Sequence, residues 1–394
     1  MLAAVDDKAQ VMLPLVESWA AINSGSRNLP GLAAMADRLA DAFAVLPGPA
    51  SLVEADAVEA IDVDGRAVAV AHGRNLHLQV RPDAPLQLLL TGHMDTVFGP
   101  EHVFQQCRWI GPGRLNGPGV ADMKGGLAVM LAALEAVERS TIAPTIGYEI
   151  VINSDEELSS PGSSGLIARA AAGKAAAFTY EPALAGGALA GARPGSGTFS
   201  IIITGRAAHA GRDPQNGRNA VLAAADMALR LAGEAGQELK VNPSRIDGGG
   251  PVNIVPDHAV LRVNLRPLTI EAERAALRMV DEIVSRVCAA HGVSAQVHGR
   301  FARPPKPFGA GAQRLTALVR QCGRDLDIPL DVMPSGGVCD GNNIAALGVP
   351  VIDTMGVRGG AIHSADEFLE TGSLVERARL SALAIARLAS GGAP

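Results

Sequence analysis

The sequence predicts an α/β protein built on a mostly parallel sheet, interrupted part-way by a smaller α+β insert. Two observations carry this. Strand and helix signals alternate through the first half of the chain, as they do when helices connect parallel strands. A Gly-, Ala- and Pro-rich stretch at 186–197 then breaks the pattern, and the stiff run Arg303-Pro304-Pro305-Lys306-Pro307 closes a block of different organisation. A chain of 394 residues is long enough for two domains. The expected division is 1–192 and 305–394 as one interrupted domain, with 193–304 as the insert.

The elements follow in order. Apolar residues recur at helical spacing over 8–22 and 31–43. Residues 86–90 form a short apolar run ending in Thr91-Gly92, which reads as a buried strand and a turn. A long helix is expected over 122–139, then buried strands over 147–153 and 175–180. In such sheets the chemistry gathers beyond the carboxyl ends of the strands, where His93, Glu156 and Glu181 fall. Within the insert a strand is expected at 198–204, a helix at 219–231, strands across 251–266 around Pro256-Asp257, and a helix at 271–291. Helical and strand signals then resume and lead to His363.

Composition narrows the function. Hydrophobic residues make up 48% and aromatics only 3%, so the core must be built from Ala, Val, Leu and Ile. The net charge of -6 is spread without long blocks and gives no electrostatic case for nucleic acid. Arg262, Arg266 and Arg274, scattered through apolar runs, read as marks of exposed faces. Cys107, Cys288, Cys322 and Cys339 form no CxxC pair, which argues against a disulfide framework and for a reduced cytosol. Any zinc must then be held by nitrogen and oxygen. The first residues, with Asp6 and Asp7, do not read as a signal peptide, and the Ala-rich stretch 127–137 contains Glu135 and is too short to span a bilayer. A cytoplasmic protein with no membrane partner is expected.

Several short segments can carry chemistry. Thr91-Gly92-His93-Met94-Asp95-Thr96 sets a His and an Asp two apart after a strand, so both point one way and the carboxylate can orient the ring. A turn histidine with a capping Asp is the plainer alternative. Asn116 to Gly126 turns through a Gly-rich bend into a helix and places Asp122 near its N-cap, where a purely structural Asp is common. Asp155-Glu156-Glu157 puts three acids at a strand end, where they repel unless something positive lies among them. Glu181 and His363 each sit alone in a turn. Together, two histidines and several carboxylates at strand ends suit a divalent cation such as zinc. With Asp122 bridging, each of two metals gains one His and one Glu. Two metals roughly 3.5–4 Å apart can share a water and lower its pKa toward neutrality.

These motifs, in this order, resemble the M20 family of dizinc metallopeptidases. The chain is most similar within it to glutamate carboxypeptidases of the carboxypeptidase G2 type, then to acetylornithine deacetylases and succinyl-diaminopimelate desuccinylases. The resemblance runs from about Leu15 to the C-terminus. It implies two Zn²⁺ ions, a site that Co²⁺ or Mn²⁺ can also fill. His93 and Glu181 would hold one, Glu157 and His363 the other, and Asp122 both. Asp95 would stand behind His93, and Glu156 would be the general base that moves a proton from water to the leaving nitrogen. Glu at 181 points to the carboxypeptidase or acylase side.

The same resemblance makes the insert a lid and dimerisation domain and the protein a homodimer. His209, in Gly205-Arg206-Ala207-Ala208-His209-Ala210-Gly211, would cross into the partner's site as an oxyanion donor. Asn253 resembles a substrate-contacting position. Arg303 and Arg266 are the candidates for a substrate carboxylate, Arg303 the better placed of the two. Cys339 stands where the family carries a small or hydroxyl residue and is read as packed.

The leading expectation is a dizinc carboxypeptidase of glutamate type, releasing a C-terminal amino acid from a small peptide or N-acyl conjugate. An N-acyl-amino-acid deacylase is the near alternative, and a non-catalytic metal-bearing binding protein the alternative of a different class. A nucleotide binder is excluded, because Gly111-Pro112-Gly113 does not begin a GxGxxG turn opening a helix.

Overall fold

The structure, a computed structural model, describes residues 1–391. The described residues divide into two compact units, one formed by 1–56, 72–192 and 307–391, the other by 57–71 and 193–306.

The larger unit is organised by a six-stranded sheet. Its order is Ala50–Val53, Asn75–Val80, Ile146–Asn153, Leu86–His93, Ala176–Thr179 and Val351–Ile352. Only Asn75–Val80 runs against the others, since it pairs antiparallel with both neighbours while the remaining pairings are parallel. The continuous apolar runs of the central strands follow from burial on both faces. Leu88 and Leu90 join the core formed with helices Ala9–Ala20, Gly125–Glu138 and Ser373–Ala389. Leu89 between them packs on the opposite side with Ile167 of helix Ser164–Ala171 and Ile344 of helix Asp340–Ala346. Helix Gly125–Glu138 is buried around almost its whole circumference, which its Ala-rich sequence permits. Its Glu135 is paired with Lys8.

The smaller unit is a four-stranded antiparallel sheet in the order Leu239–Gly248, His258–Pro267, Ser196–Thr204, Ser294–Arg303. Helices Ala220–Gly233 and Ile270–His291 share one core with it. The chain runs strand-helix-strand-strand-helix-strand, the split-βαβ connectivity of ferredoxin-like domains.

The structure corrects four expectations. The hairpin Val58–Ile61/Ala67–Val70 belongs to the smaller unit, although it precedes the insert by more than a hundred residues. The cause is Arg262, which the sequence reading put on an exposed face. Its guanidinium instead donates to the carbonyls of Ile61 (3.0 Å) and Asp62 (2.8 Å) and pairs with Asp247. Lys306 also belongs to the smaller unit, where it pairs with Arg193, so the boundary falls after 306 rather than 304. Residues 251–257 are not a strand; His258–Pro267 pairs instead with Leu239–Gly248, ahead of it, and with Ser196–Thr204. Finally, the regular helix starts at Gly125, because Asp122 and Met123 have non-helical backbone angles, and Lys124 rather than Asp122 is its N-cap. Among the described residues no helix is long and apolar enough to cross a membrane.

Candidate active site

Three neighbouring parallel strands bring the first groups together. Leu86–His93 lies between Ile146–Asn153 and Ala176–Thr179, so their carboxyl ends open on one side of the sheet. His93 closes the middle strand, Glu156 and Glu157 follow one neighbour, and Glu181 follows the other. The bend before helix Gly125–Glu138 supplies Asp122, whose peptide bond to Met123 is cis. His363, at a left-handed backbone position (φ 63°), comes from a turn near the end of the chain.

Asp122 lies between the two histidines. One carboxylate oxygen is 3.1 Å from His93 Nε2 and the other 3.3 Å from His363 Nε2. His363 Nε2 is also 3.2 Å from Glu157, and His93 Nε2 is 3.9 Å from Glu181. A Glu156 oxygen falls within the same compact group as His93 and Glu181, with all ligand atoms within 4.8 Å of one another. His93, Asp95, Asp122 and Glu181 are all buried.

The His93 tautomer can be assigned from its partners. Nδ1 is 3.0 Å from the main-chain carbonyl of Asp95, which can only accept, so Nδ1 carries the proton. In the neutral ring Nε2 then presents a lone pair to the Asp122 carboxylate. Lone pair against anion is repulsive unless a cation lies between them. Burial opposes charge on His93, yet hydrogen bonds to Asp122 and Asp95 and the nearby Glu181 raise its pKa well above the ordinary imidazole value. Hydrogen bonds to Asp122 and Glu157 push His363 up to about 11 against a smaller opposing effect of burial. Burial raises Glu157, with Asp122 adding to it. The cluster demands positive charge, and its nitrogen and carboxylate donors fit divalent metal.

Asp95 organises the back of the cluster. Fully buried, it accepts from Ser26 Oγ (2.7 Å) and from the backbone N–H groups of Glu156 (3.1 Å) and Glu157 (3.2 Å). Its carboxylate is 3.4 Å from His93 Nδ1, farther than its own carbonyl. Asp155, the first acid of the triple run, does not form a solvated loop. It is buried and accepts from Gly162 N–H (2.6 Å) and Ser163 Oγ (2.5 Å), and burial pushes its carboxyl up to about 6.

The family model for "Peptidase family M20/M25/M40" matches residues 89–387, a span that includes His93, Asp95, Asp122, Glu156, Glu157, Glu181 and His363. The chain belongs to this family. It is therefore a metal-dependent hydrolase with the M20 peptidase fold. Carboxypeptidase G2 of Pseudomonas sp. is 28% identical over 334 residues, covering 83% of this chain and 80% of that one. A succinyl-diaminopimelate desuccinylase of Verminephrobacter eiseniae is 25% identical over 299 residues, 71% of this chain and 73% of that one. Among solved structures, the Bacillus subtilis YXEP protein, a dinuclear metal binding peptidase from the M20 family, superposes with a TM-score of 0.66. That match is 13% identical and covers 97% of this chain and 99% of its own.

The remaining expected site residues of this M20 chain lie in its smaller unit. His209 is exposed, and its Nδ1 accepts from the N–H groups of Gly211 (3.1 Å) and Arg212 (3.2 Å). Asn253 is exposed beside it, since His209 bridges Ile254 and the Asn253 carbonyl accepts from Ala210 N–H. Arg266 is half-buried and donates to Asn264 at 3.0 Å. Arg303, at the end of strand Ser294–Arg303, is fully buried. In the larger unit, Cys339 is packed at the N-cap of helix Asp340–Ala346, 3.7 Å from Asp353.

One group at the cluster was missed by the sequence reading. Glu367, buried, accepts from the backbone N–H groups of the bend that carries Asp122. Burial and the Asp122 charge push its carboxyl up to about 7 against those hydrogen bonds. The available signal was an acid four residues after His363.

Proposed function

We propose that this enzyme is a dizinc carboxypeptidase that releases a C-terminal amino acid, glutamate foremost, from a peptide or N-acyl conjugate. The observation that carries the reading is one carboxylate, Asp122, with a histidine at each oxygen. His93 and Glu181 would hold one zinc, Glu157 and His363 the other, and Asp122 both. The metals, when bound, polarise the scissile carbonyl and acidify water.

The chain's own residues do the rest. Glu156 takes a proton from the attacking water and delivers it to the leaving nitrogen, without which an amide does not depart. Asp95 fixes the Glu156–Glu157 turn through two N–H bonds, so the base cannot drift. His209, with Nδ1 occupied as an acceptor, has its Nε2 as the donor for a developing oxyanion, supplied across a homodimer. Asn253, Arg303 and Arg266 are the proposed substrate contacts, and the compartment is the cytoplasm. The likeness to carboxypeptidase G2 and the Glu at 181 support the carboxypeptidase side.

The desuccinylase likeness favours a second reading, an N-acyl-amino-acid deacylase with the same catalytic groups. A panel of dipeptides, N-acyl amino acids and their carboxyl-capped amides separates the two. Hydrolysis of acyl-glutamate and peptidyl-glutamate substrates with loss of activity on the capped forms is expected. Equal rates on capped and free substrates would overturn recognition of a terminal carboxylate.

A further inference from the structure

Glu367 sits four residues after His363 and reaches a segment nearly 250 residues away in sequence. One of its carboxylate oxygens accepts from Ala121 N–H (2.9 Å) and Asp122 N–H (3.0 Å), and the other from Gly119 N–H (3.1 Å). Its main-chain carbonyl adds two bonds to the same region, from Gly117 N–H (3.3 Å) and Asn116 Nδ2 (2.7 Å). Strand Phe368–Glu370, which follows directly, pairs antiparallel with Arg114–Asn116. Gly359, on the other side of the His363 turn, lets the two segments close up, since a Cβ there would meet the Phe368 carbonyl at 2.1 Å and Ala121 at 3.0 Å.

The bend needs such a partner. Its backbone is not helical at Asp122 and Met123, and the N–H groups of Gly119, Ala121 and Asp122 go to Glu367 rather than to a helical ladder. Three of them converge on one buried carboxylate, and charge-assisted bonds of this kind are about twice as strong as neutral ones. A single side chain thus fixes the backbone beneath Asp122 to the segment that carries His363.

We propose that Glu367 is a positioning residue for the metal pair, setting the Asp122–His363 spacing on which the second metal depends. This rests on the reading that Asp122 and His363 hold metal. Groups that orient metal ligands change affinity or activity about 10- to 100-fold when removed.

The test starts from purified, metal-loaded enzyme challenged with a graded chelator, counting metal retained per chain. Glu367→Ala should lose one metal at about 10- to 100-fold lower chelator, with reduced kcat and unchanged KM, because Glu367 touches no substrate. Glu367→Gln keeps an oxygen for some of the N–H groups and should fall between Ala and wild type. Wild-type metal retention in the Ala variant, even with a lowered melting temperature, would reduce Glu367 to a structural clamp and overturn the proposal. If the Ala variant does not fold, wild-type retention in the Gln variant overturns it equally. A wild-type enzyme that binds no metal pair defeats the parent reading instead, so the two failures are distinct.

Discussion

Replacing Gly126 with Ala tests how tightly the helix start is coupled to Glu181. Gly126 is buried, two residues into helix Gly125–Glu138. A methyl there would lie 2.0 Å from the Tyr180 carbonyl oxygen and 3.1 Å from its carbon. Real side chains essentially never approach closer than 3.0 Å, so the two backbones must separate by about 1 Å. Tyr180 is held to Thr91 by a 3.0 Å bond, and Glu181 to Gly356 by a 2.9 Å bond, so the displacement lands on the turn bearing Glu181. Ala gains about 0.5–1 kcal/mol of helix preference over Gly. Overpacking costs about 1–3 kcal/mol. Net stability therefore falls by about 0–2.5 kcal/mol, while a misplacement of about 1 Å in the site costs about 100-fold in rate. The assay is kcat beside a thermal melt and a metal count. A Gly126→Ala enzyme with wild-type kcat and full metal content would refute the reasoning.

Two further outcomes follow from the same structure. Glu156→Gln should keep both metals but lower kcat about 10²- to 10⁴-fold, the usual contribution of a general base; a near-normal rate would place the base elsewhere. Glu149 accepts from Lys174 (2.8 Å), Gln79 (2.9 Å) and His77 (3.1 Å). Burial raises its pKa, but the His77 and Lys174 bonds outweigh it and leave the carboxyl below its ordinary value. A depressed folded pKa gives stability present above the unfolded value, about 4.3, and lost as pH falls through the folded one. Glu149→Gln should therefore lower the melting temperature at pH 7, with the loss shrinking as the pH falls below the unfolded value of about 4.3; a loss that stays constant with falling pH would remove the carboxylate from the account.

The parts of this molecule legible in sequence are those where local pattern and tertiary role agree. Strands Leu86–His93 and Ile146–Asn153 show because burial on both faces forces an apolar run, and His93 and Glu156 show because they fall at the ends of those runs. Strands Leu239–Gly248 and Ser294–Arg303 did not show, because they are the edges of their sheet and carry polar residues, with Pro243 in one of them. The apolar Val252 and Ile254 imitated a strand but are exposed in a loop. The hairpin at 57–71 was hidden because Arg262, far along the chain, decides where it packs. Glu367 was hidden for a related reason. Its partners are backbone N–H groups, which carry no residue identity to read.

The central claim is that Asp122 is shared by two divalent ions. Metal content per chain, measured on wild type and on Asp122→Ala together with hydrolysis of a peptidyl-glutamate substrate, tests it most directly. The account predicts two metals in the wild type, and in the variant fewer metals and no measurable turnover. Two metals retained in Asp122→Ala, with hydrolysis intact, would contradict it.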